Sequence, residues 1–475
     1  MTAATTPMIS GRLPLVGHAL DFFRDPVALL NRGFKEHGSV YGFRILKRNF
    51  VVVVGPELQK QFFRETDKSL DIRRAMPFFH HMFSPEFYSF APWDEYLRQR
   101  ATVMPRFKGE QLRGYVPVIA EETERLMDRL GNSGEFDLVP TLGTLVMDVA
   151  AHSFLGRDFR GRLEGDFFAL FREFSGGLEF VLPHWFPIPR LIKARSAKNK
   201  LHRILQSWVE QRRARPVSPP DFFQDLVAAR YEDGTTIPDE IIRHLVLLLV
   251  WAGHETTAGH VSWALIDLVQ NPDYLARCRQ EADIVLAGNS GRDMTWEHAR
   301  NLVLMELALK ETERLHPVAY IQSRVAAEDL ELEGFSVPRN SFVLIAPCVA
   351  HRVSGIFPEP DAYRPQRFAP GSGEQGPESG TLIGFGGGFH RCAGVNFARL
   401  EMRVALAMLL KKYDMELEGT VRPRAGASTF WPDELRVRYR RWQDAPRFTT
   451  ADIPAEVNAS VAVVEAQCPF HSARI

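Results

Sequence analysis

The sequence predicts a mainly α-helical protein that carries small β-sheets. Apolar residues recur at helical spacing over most of the middle of the chain. Short segments rich in β-branched and aromatic residues occur near the N-terminus and again after Pro317. A chain of 475 residues, 45% of them hydrophobic, can bury a large core. We therefore expect an extensive helical core with a small N-terminal hairpin and a second, minor sheet.

The helices are predicted from the spacing of apolar residues. Five long patterns precede Pro317, at residues 116–130, 142–154, 198–213, 241–269 and 305–315. A further helix is predicted over residues 395–412, directly after a glycine-rich segment. Helix therefore dominates the chain from about residue 57 to residue 318.

The strands are predicted from β-prone segments bounded by turn residues. Segments 40–45 and 50–54 form a hairpin, with Lys47, Arg48 and Asn49 as its turn. Segments 329–333 and 342–345 belong to the second sheet. We expect residues 1–442 to form a single domain, and residues 443–475 to be a surface or partly disordered extension.

Composition excludes several classes of protein. Lys plus Arg is 58 and Asp plus Glu is 58, so no nucleic-acid partner is indicated. The four cysteines are Cys278, Cys348, Cys392 and Cys468, and their wide spacing fits neither a disulfide framework nor a zinc or iron–sulfur cluster. The N-terminus has no signal-like pattern, and the longest apolar run, 245–252, is too short to cross a bilayer. We expect a soluble, cytoplasmic protein without a membrane anchor.

The most specific motif is the segment from Phe385 to Gly394, FGGGFHRCAG. It places Cys392 at or near the N-terminus of the predicted helix 395–412, where free N–H groups and the helix dipole favour a thiolate. Its glycines allow backbone to pass close to a flat macrocycle. The alternative is a glycine-rich loop around a buried free cysteine.

Two further segments combine polar residues with helical patterns. Glu311 and Arg314 share one helix face at i, i+3 spacing, although a solvated ion pair would have the same spacing. The segment 251–257, WAGHETT, interrupts an apolar helix, and its Gly253 weakens that helix by roughly 1 kcal/mol relative to alanine. Polar residues there must be hydrogen-bonded or face a cavity. The alternative is a kink whose hydroxyls bond the preceding turn.

Together these segments resemble the cytochrome P450 superfamily, whose cysteine-ligand signature F-x-x-G-x-[HR]-x-C-x-G is matched at every position from Phe385 to Gly394. The resemblance implies the cytochrome P450 fold and haem b, with Cys392 as the axial ligand to iron. It also implies that Phe385, His390 and Gly394 lie against the haem. The buried E-x-x-R pair of the family corresponds to Glu311 and Arg314.

The resemblance extends to the remaining motifs. Arg367, in the segment Pro365–Phe368, is the expected third member of the Glu311 and Arg314 cluster. Segment 252–256 matches the [AG]-G-x-[DE]-T motif, in which Ala252 and Gly253 leave room above the iron. In that motif Thr256 hydrogen-bonds dioxygen and Glu255 relays protons, and we expect His254 to point elsewhere. The haem propionates are expected to contact Tyr96, Arg100, Arg324 and His390.

Several stretches resemble the sterol 14-demethylase branch, namely residues 14–18, 112–117, 121–123, 230–234 and 436–440. Two features depart from it. Residues 76–91 are rich in Phe and His in place of a Tyr-x-x-Phe pair and a glycine-rich stretch, and Glu255 stands where the branch usually has His. Within 76–91, an apolar substrate pocket is predicted from Phe78, Phe79, Phe83, Phe87 and Phe90, although such a stripe also fits an ordinary core.

The function implied is that of a monooxygenase which uses dioxygen and a lipophilic substrate, such as a sterol, a terpenoid or a fatty acid-like molecule. No dinucleotide fingerprint appears, so electrons from NAD(P)H require a separate reductase with a ferredoxin or flavodoxin. Their docking residues are predicted to be Arg98, Arg399, Lys411 and Lys412, for which solvated charges are the alternative. Two competing functions remain: a peroxide-using peroxygenase or isomerase, and a non-catalytic gas-binding haem protein. Cys468 and His471 in the tail are expected to be inert.

Overall fold

The computed structural model describes residues 3–442, apart from residues 77–78, 80–81, 85–86, 157–163, 178–185, 287–292, 373–379 and 427–428. The predicted tail 443–475 and Phe78 therefore lie outside the described residues. The fold is the mainly α-helical one that the sequence predicts. Its helices are α1 (Ala19–Arg24), α2 (Pro26–His37), α3 (Pro56–Arg64), α4 (Trp93–Val103), α5 (Glu110–Leu130), α6 (Leu138–Leu155), α7 (Glu164–Ser175), α8 (Pro189–Ala214), α9 (Phe222–Ala228), α10 (Asp239–Gln270), α11 (Pro272–Val285), α12 (Trp296–Asn301), α13 (Val303–Leu315), α14 (Pro347–Ala350) and α15 (Val395–Lys412).

The strands are short and lie in small sheets. They are β1 (Ala4–Thr5), β2 (Val40–Ile45), β3 (Arg48–Val53), β4 (Leu70–Asp71), β5 (Ser133–Asp137), β6 (Gln322–Ala326), β7 (Leu330–Leu332), β8 (Phe335–Val337), β9 (Phe342–Ile345), β10 (Tyr413–Glu418), β11 (Pro423–Ala425), β12 (Phe430–Pro432) and β13 (Arg436–Arg441). The largest sheet has the order β2-β3-β9-β6-β4, in which only β3 and β9 are parallel. The described residues also contain two three-stranded sheets, β1-β8-β7 and β10-β13-β5, and the two-stranded pair β11-β12.

Two predictions about the strands need correction. The hairpin exists, but Ile45 pairs with Arg48, so its turn is Leu46 and Lys47 and not residues 47–49. Leu46 adopts a positive φ of 53°, which a two-residue turn of this kind requires. Strand β9 joins the hairpin's own sheet by pairing in parallel with β3, whereas β7 and β8 lie in a separate sheet with β1.

The helical core is built around α10, the longest helix. Asp239 and Glu240 occupy its first turn, where acidic side chains stabilise the helix dipole. α5, α6, α13 and α15 contribute buried apolar faces to the same core cluster. A second core, which includes Leu30, Tyr41 and Leu344, lies under the five-stranded sheet.

Among the described residues, one helix is long and apolar enough to span a membrane, namely Leu138–Leu155. Within this helix, 78% of the residues are buried inside the molecule. Its apolar surface is therefore covered by the protein's own core, as in the central helix of a globular domain.

Candidate haem site

The middle of α10 is open although the helix runs through the core. Every residue from Thr257 to Leu268 is buried, whereas Ala252 and Thr256 are exposed and Glu255 is half-buried. Burial nevertheless raises the pKa of Glu255, so its carboxyl is surrounded by protein and not by bulk water. The exposed section therefore faces a cavity inside the molecule.

The polar side chains of this section have different partners. The Thr256 hydroxyl donates a 2.6 Å hydrogen bond to the Ala252 carbonyl, as expected of a hydroxyl that bonds back to the preceding turn. A helix kink with back-bonded hydroxyls would explain this hydrogen bond but not the exposure of Thr256, which gives the side chain access to the cavity. His254 lies beside Gly143 of α6, and burial lowers its pKa to about 4. His254 therefore points away from the cavity, as predicted.

The glycine-rich loop folds back on itself just before α15. The Cys392 N–H donates to the Phe385 carbonyl at 2.9 Å, and α15 begins at Val395. A Cβ at Gly387 would lie 2.5 Å from the ring of Phe63 in α3, so this glycine accommodates a protein side chain. That these glycines let the backbone pass close to a flat macrocycle stays a prediction; for Gly387 the structure shows a further reason for glycine, its packing against Phe63.

Cys392 combines two properties that rarely occur together. Its side chain is accessible to solvent, unlike the buried Cys278 and Cys348, yet it is enclosed by protein atoms. Burial raises the pKa of the thiol, and this outweighs the Gly394 N–H and the charges of Arg391 and Arg399. Burial therefore opposes the lowering of the thiol pKa that the sequence predicts from the helix end.

A group of polar side chains lies beside this loop, and we call Tyr96, Arg100, Arg324 and His390 the basic cluster. The Tyr96 hydroxyl and His390 Nδ1 are 3.1 Å apart, and their rings stack with a centroid distance of 4.8 Å. His390 Nε2 lies 2.5 Å from Asp67 Oδ2. Asp67 was missed by sequence reasoning because it precedes His390 by 323 residues; no local signal could have found it.

The two arginines of the basic cluster have few carboxylate partners. Arg324 is 3% exposed and donates to two neutral oxygens, Thr66 Oγ1 at 3.1 Å and the Ser323 carbonyl at 2.8 Å. Burial lowers its pKa to about 10. The Arg100 guanidinium lies 4.5 Å from the Phe389 ring centroid and hydrogen-bonds Tyr96. The structure thus brings the four predicted propionate-binding residues together, and their positive charge exceeds the negative charge of the nearby Asp67.

The structure also brings together Glu311, Arg314 and Arg367, which we call the ion-pair cluster. Arg314 donates to both Glu311 oxygens, at 2.8 and 2.9 Å, and Arg367 Nε lies 3.1 Å from Glu311 Oε2. The side chains of all three are 0% exposed. Arg314 also donates to backbone carbonyls of His351, Pro360 and Ala362, so it fastens α13 to the loop that follows α14.

The aromatic residues before α4 pack against the first half of α10. Phe79 meets the Trp251 ring edge-on at 5.3 Å and lies 5.9 Å from Phe83. Phe83, Phe87 and Phe90 are buried, whereas Phe79 keeps partial exposure. Phe79 therefore keeps accessible side-chain surface beside Trp251, whereas the other three pack into the core.

These features fit a haem. An enclosed but accessible thiol can bind an iron ion, and an adjacent basic cluster with few carboxylates can bind two propionates. The open section of α10 leaves room for small molecules in the same interior.

The chain belongs to the cytochrome P450 family, since the family's sequence model, described as Cytochrome P450, matches residues 7–430. It is a cytochrome P450 monooxygenase, and the family implies a haem held by a cysteine thiolate.

Among curated proteins, the chain is 30% identical over 427 residues to the sterol 14alpha-demethylase of Mycolicibacterium vanbaalenii, which covers 88% of this chain and 93% of that protein. It is 27% identical over 450 residues to the lanosterol 14-alpha demethylase of Cunninghamella elegans, covering 88% of this chain and 87% of that one. The resemblance to the sterol 14-demethylase branch is thereby confirmed.

Solved structures share the fold. A retinoic acid-bound cyanobacterial CYP120A1 superposes with a TM-score of 0.82 at 23% identity, covering 93% of this chain and 100% of that one. The haem domain of cytochrome P450DA gives a TM-score of 0.83 at 18% identity, covering 94% and 100%.

Proposed function

We propose that this cytochrome P450 inserts one atom of dioxygen into a lipophilic small molecule, such as a sterol, a terpenoid or a fatty acid-like compound. The electrons come from NAD(P)H through separate redox partners. The cofactor is haem b, with Cys392 as its axial thiolate. The observation that carries this proposal is the enclosed yet accessible sulfur of Cys392 beside the basic cluster.

The chain's own residues hold the cofactor and its surroundings. Cys392 binds the iron, and its N–H bond to Phe385 fixes the loop. Tyr96, Arg100, Arg324 and His390 bind the propionates. Phe385 and Gly394 would flank the ligand, and the exposed Ala252 would leave room for small molecules. Gly253 was predicted to do the same, but a Cβ at this position would meet the Phe154 ring of α6 at 3.9 Å.

When bound, the haem supplies reductive activation of dioxygen. Glu255 holds a proton at its carboxyl, because burial raises its pKa and keeps the acid form present at higher pH. The Thr256 hydroxyl donates to the Ala252 carbonyl in the structure; as a relay it would release its own proton while its oxygen receives another from a neighbouring donor, so that it stays a neutral hydroxyl. The pair therefore delivers protons into a cavity from which bulk water is largely excluded.

The buried carboxyl of Glu255 also favours a monooxygenase over the competing functions. A peroxygenase or isomerase, and equally a gas-binding haem protein, has less use for a proton donor at this position, whereas a monooxygenase must deliver protons in each cycle. Turnover with hydrogen peroxide but not with NADPH, reductase and ferredoxin would reverse this ranking.

The ligand assignment is tested with Cys392→Ser. We expect the variant to lose the thiolate-type Soret band of the reduced, carbon monoxide-treated protein, and to lose NADPH-driven product formation. Cys348→Ala, at a buried cysteine in α14, should keep the spectrum. An unchanged spectrum in Cys392→Ser would refute the proposal.

The proton donor is tested with Glu255→Gln. Losing a general acid lowers a rate by about 100-fold or more, so product per NADPH consumed should fall sharply while substrate-induced spectral changes persist. In the parent protein the yield should decline as pH rises through the elevated pKa of Glu255, and in the glutamine variant it should be low at every pH. Identical pH profiles for the two would exclude Glu255 as donor.

The residues predicted to dock an acidic ferredoxin or flavodoxin are Arg98, Arg399, Lys411 and Lys412, and the first two already have carboxylate partners. Arg399 is only 13% exposed and is bound to Glu313, and Arg98 pairs with Glu95 and Asp233. A groove of about 750 Å³ beside the cysteine loop is also lined by basic side chains, namely Lys60, Arg64, Lys68 and Arg391, with Trp93 and Phe389 at its wall. Lys60 and Arg64 have the local partners Glu57 and Glu65. We assign docking to this groove.

We also propose that residues 1–442 form one haem domain and that the enzyme acts in the cytoplasm. The buried thiols Cys278 and Cys348 support a reducing compartment.

A further inference from the structure

Large apolar side chains are exposed together in the N-terminal part of the chain. Leu15 is 93% exposed, Phe23 70%, Leu20 63% and Leu46 57%. A single exposed leucine is ordinary, whereas a contiguous group of exposed apolar side chains marks a surface that binds a partner. The backbone contacts between their segments show that these four residues form one group.

Two turns of the chain lie against each other. Residues 13–17 close a tight turn through two backbone hydrogen bonds of 3.0 Å between its first and last residues, with Leu15 at its tip. The Leu46 N–H donates to the Val16 carbonyl at 3.1 Å, so the turn of the β2-β3 hairpin contacts this tight turn. Leu15 and Leu46 therefore belong to one surface.

Helix α1 extends the same surface. It begins at Ala19, directly after the tight turn, and Leu20 and Phe23 share one side of it at i, i+3 spacing. Phe22 packs on Phe43 of β2 with a ring distance of 5.7 Å, which fixes α1 on the sheet. The exposed side chains are thus held on a fixed scaffold. We call Leu15, Leu20, Phe23 and Leu46 the apolar surface.

Two members of the apolar surface have a backbone conformation that is costly for leucine. The φ angle is +63° at Leu15 and +53° at Leu46, in the left-handed region that glycine and asparagine adopt more easily. Either of those residues would form the same turn without exposing an apolar side chain to water. Because both leucines are exposed, core packing does not explain them. A partner that covers them does.

Basic residues adjoin the apolar surface along the chain. Segments 8–25 and 44–49, which build this surface, contain five basic residues and two acidic ones. The basic residues are Arg12, Arg24, Arg44, Lys47 and Arg48. Of the acidic ones, Asp21 pairs with Arg32 at 2.6 Å, and Asp25 caps the N-terminus of α2. Positive charge is therefore in excess, and a negatively charged partner is complementary.

This combination fits a lipid surface better than a second copy of the chain. A symmetric dimer through this face would bring the five basic residues of one copy towards the same five of the other, and like charges repel. Leucine side chains at the tips of turns enter the boundary between headgroups and acyl chains without a preformed pocket. Anionic headgroups attract Lys and Arg at the same time.

We propose that the apolar surface and its adjoining basic residues bind reversibly to an anionic lipid bilayer. The protein lies on the membrane and does not cross it, with Leu15, Phe23 and Leu46 entering the interface. Lipophilic substrates concentrate in bilayers, so this contact places the enzyme next to its substrate. Membrane binding does not depend on the haem, so it can fail while the proposed function stands.

The test is co-sedimentation of the haem-loaded protein with vesicles made from equal amounts of phosphatidylcholine and phosphatidylglycerol. We expect binding to be at least about tenfold tighter than to pure phosphatidylcholine vesicles, and to weaken as salt is added. Leu15→Asn and Leu46→Asn should each weaken it about tenfold through lost apolar burial. Both variants should fold, because asparagine tolerates a positive φ. Lys47→Gln should weaken it about fivefold, and only with the anionic vesicles.

The matched control is Leu97→Asn, which removes an exposed leucine from α4 and should bind vesicles like the parent. Equal binding to the two kinds of vesicle, or parent-like binding by Leu15→Asn, would overturn the inference. A parent that is dimeric in sedimentation velocity and becomes monomeric in Leu15→Asn would also overturn it, because a second copy would then cover the surface. The carbon monoxide spectrum separates the two proposals: if it is thiolate-type in a parent that ignores vesicles, only the membrane inference fails.

Discussion

The ion-pair cluster and the basic cluster both bury arginine, but they differ in how its charge is balanced. In the ion-pair cluster, Glu311 faces Arg314 and Arg367, and backbone carbonyls accept the remaining donors. In the basic cluster, the hydrogen bonds that Arg324 donates to described residues go to neutral oxygens, and the nearby carboxylate of Asp67 is bonded to His390. We call the ion-pair cluster a closed network, because its charges are balanced, and it stabilises the scaffold. We call the basic cluster an open network, because its excess positive charge can bind an anion.

The largest effect should come from opening the closed network with Glu311→Ala. Removing the shared carboxylate leaves two buried guanidinium groups without a counter-charge, which costs about 3–5 kcal/mol. The midpoint of denaturant-induced unfolding measures this loss, and expression of folded protein should fall with it.

The matched control is Glu297→Ala. Glu297 and Arg300 have the same i, i+3 spacing, but the Glu297 side chain is 65% exposed. Exposed pairs contribute about 0–1 kcal/mol, so the unfolding midpoint should hardly move. Equal losses for Glu297→Ala and Glu311→Ala would mean that burial does not distinguish the two pairs, and the comparison would lose its basis.

An intermediate effect is expected from Arg324→Ala in the open network. Arg324 has no carboxylate to leave unpaired, so the fold should persist, but one cationic propionate contact is lost. A hydrogen bond to a charged group contributes about 1.5–3 kcal/mol, so haem should dissociate roughly 10- to 100-fold faster. Transfer of haem to an excess of apomyoglobin measures this rate.

The control for Arg324→Ala is Arg113→Ala, at an exposed arginine paired with Glu110 on α5. It should release haem at the parent rate. Two results together would contradict this role: Arg324→Ala lowers the unfolding midpoint as much as Glu311→Ala, and its folded fraction releases haem at the parent rate. Arg324 would then stabilise the fold and not bind a propionate.

The sequence predicts the members of both clusters but not their charge balance. Helical spacing pairs Glu311 with Arg314, and the family signature identifies Cys392 and His390, because these relations are local or fixed by a motif. Asp67 follows α3, and it meets His390 through tertiary packing in which Phe63 of that helix also lies against Gly387. Arg399 reads as a surface charge, although α13 buries it against Glu313. Long-range packing decides such positions.

The smallest effect should come from Asp67→Asn, which changes the charge of the open network with little change in shape. The asparagine oxygen can still accept from His390 Nε2, so the imidazole keeps its orientation. The negative charge that opposes bound propionates disappears, and haem release should slow by about two- to fivefold, the scale of a partly screened charge interaction. Asp433→Asn, the same change at an exposed position, should release haem at the parent rate. If Asp67→Asn released haem faster than the parent, Asp67 would orient His390 more than it repels the propionates. The charge of the basic cluster would then be partly balanced by Asp67.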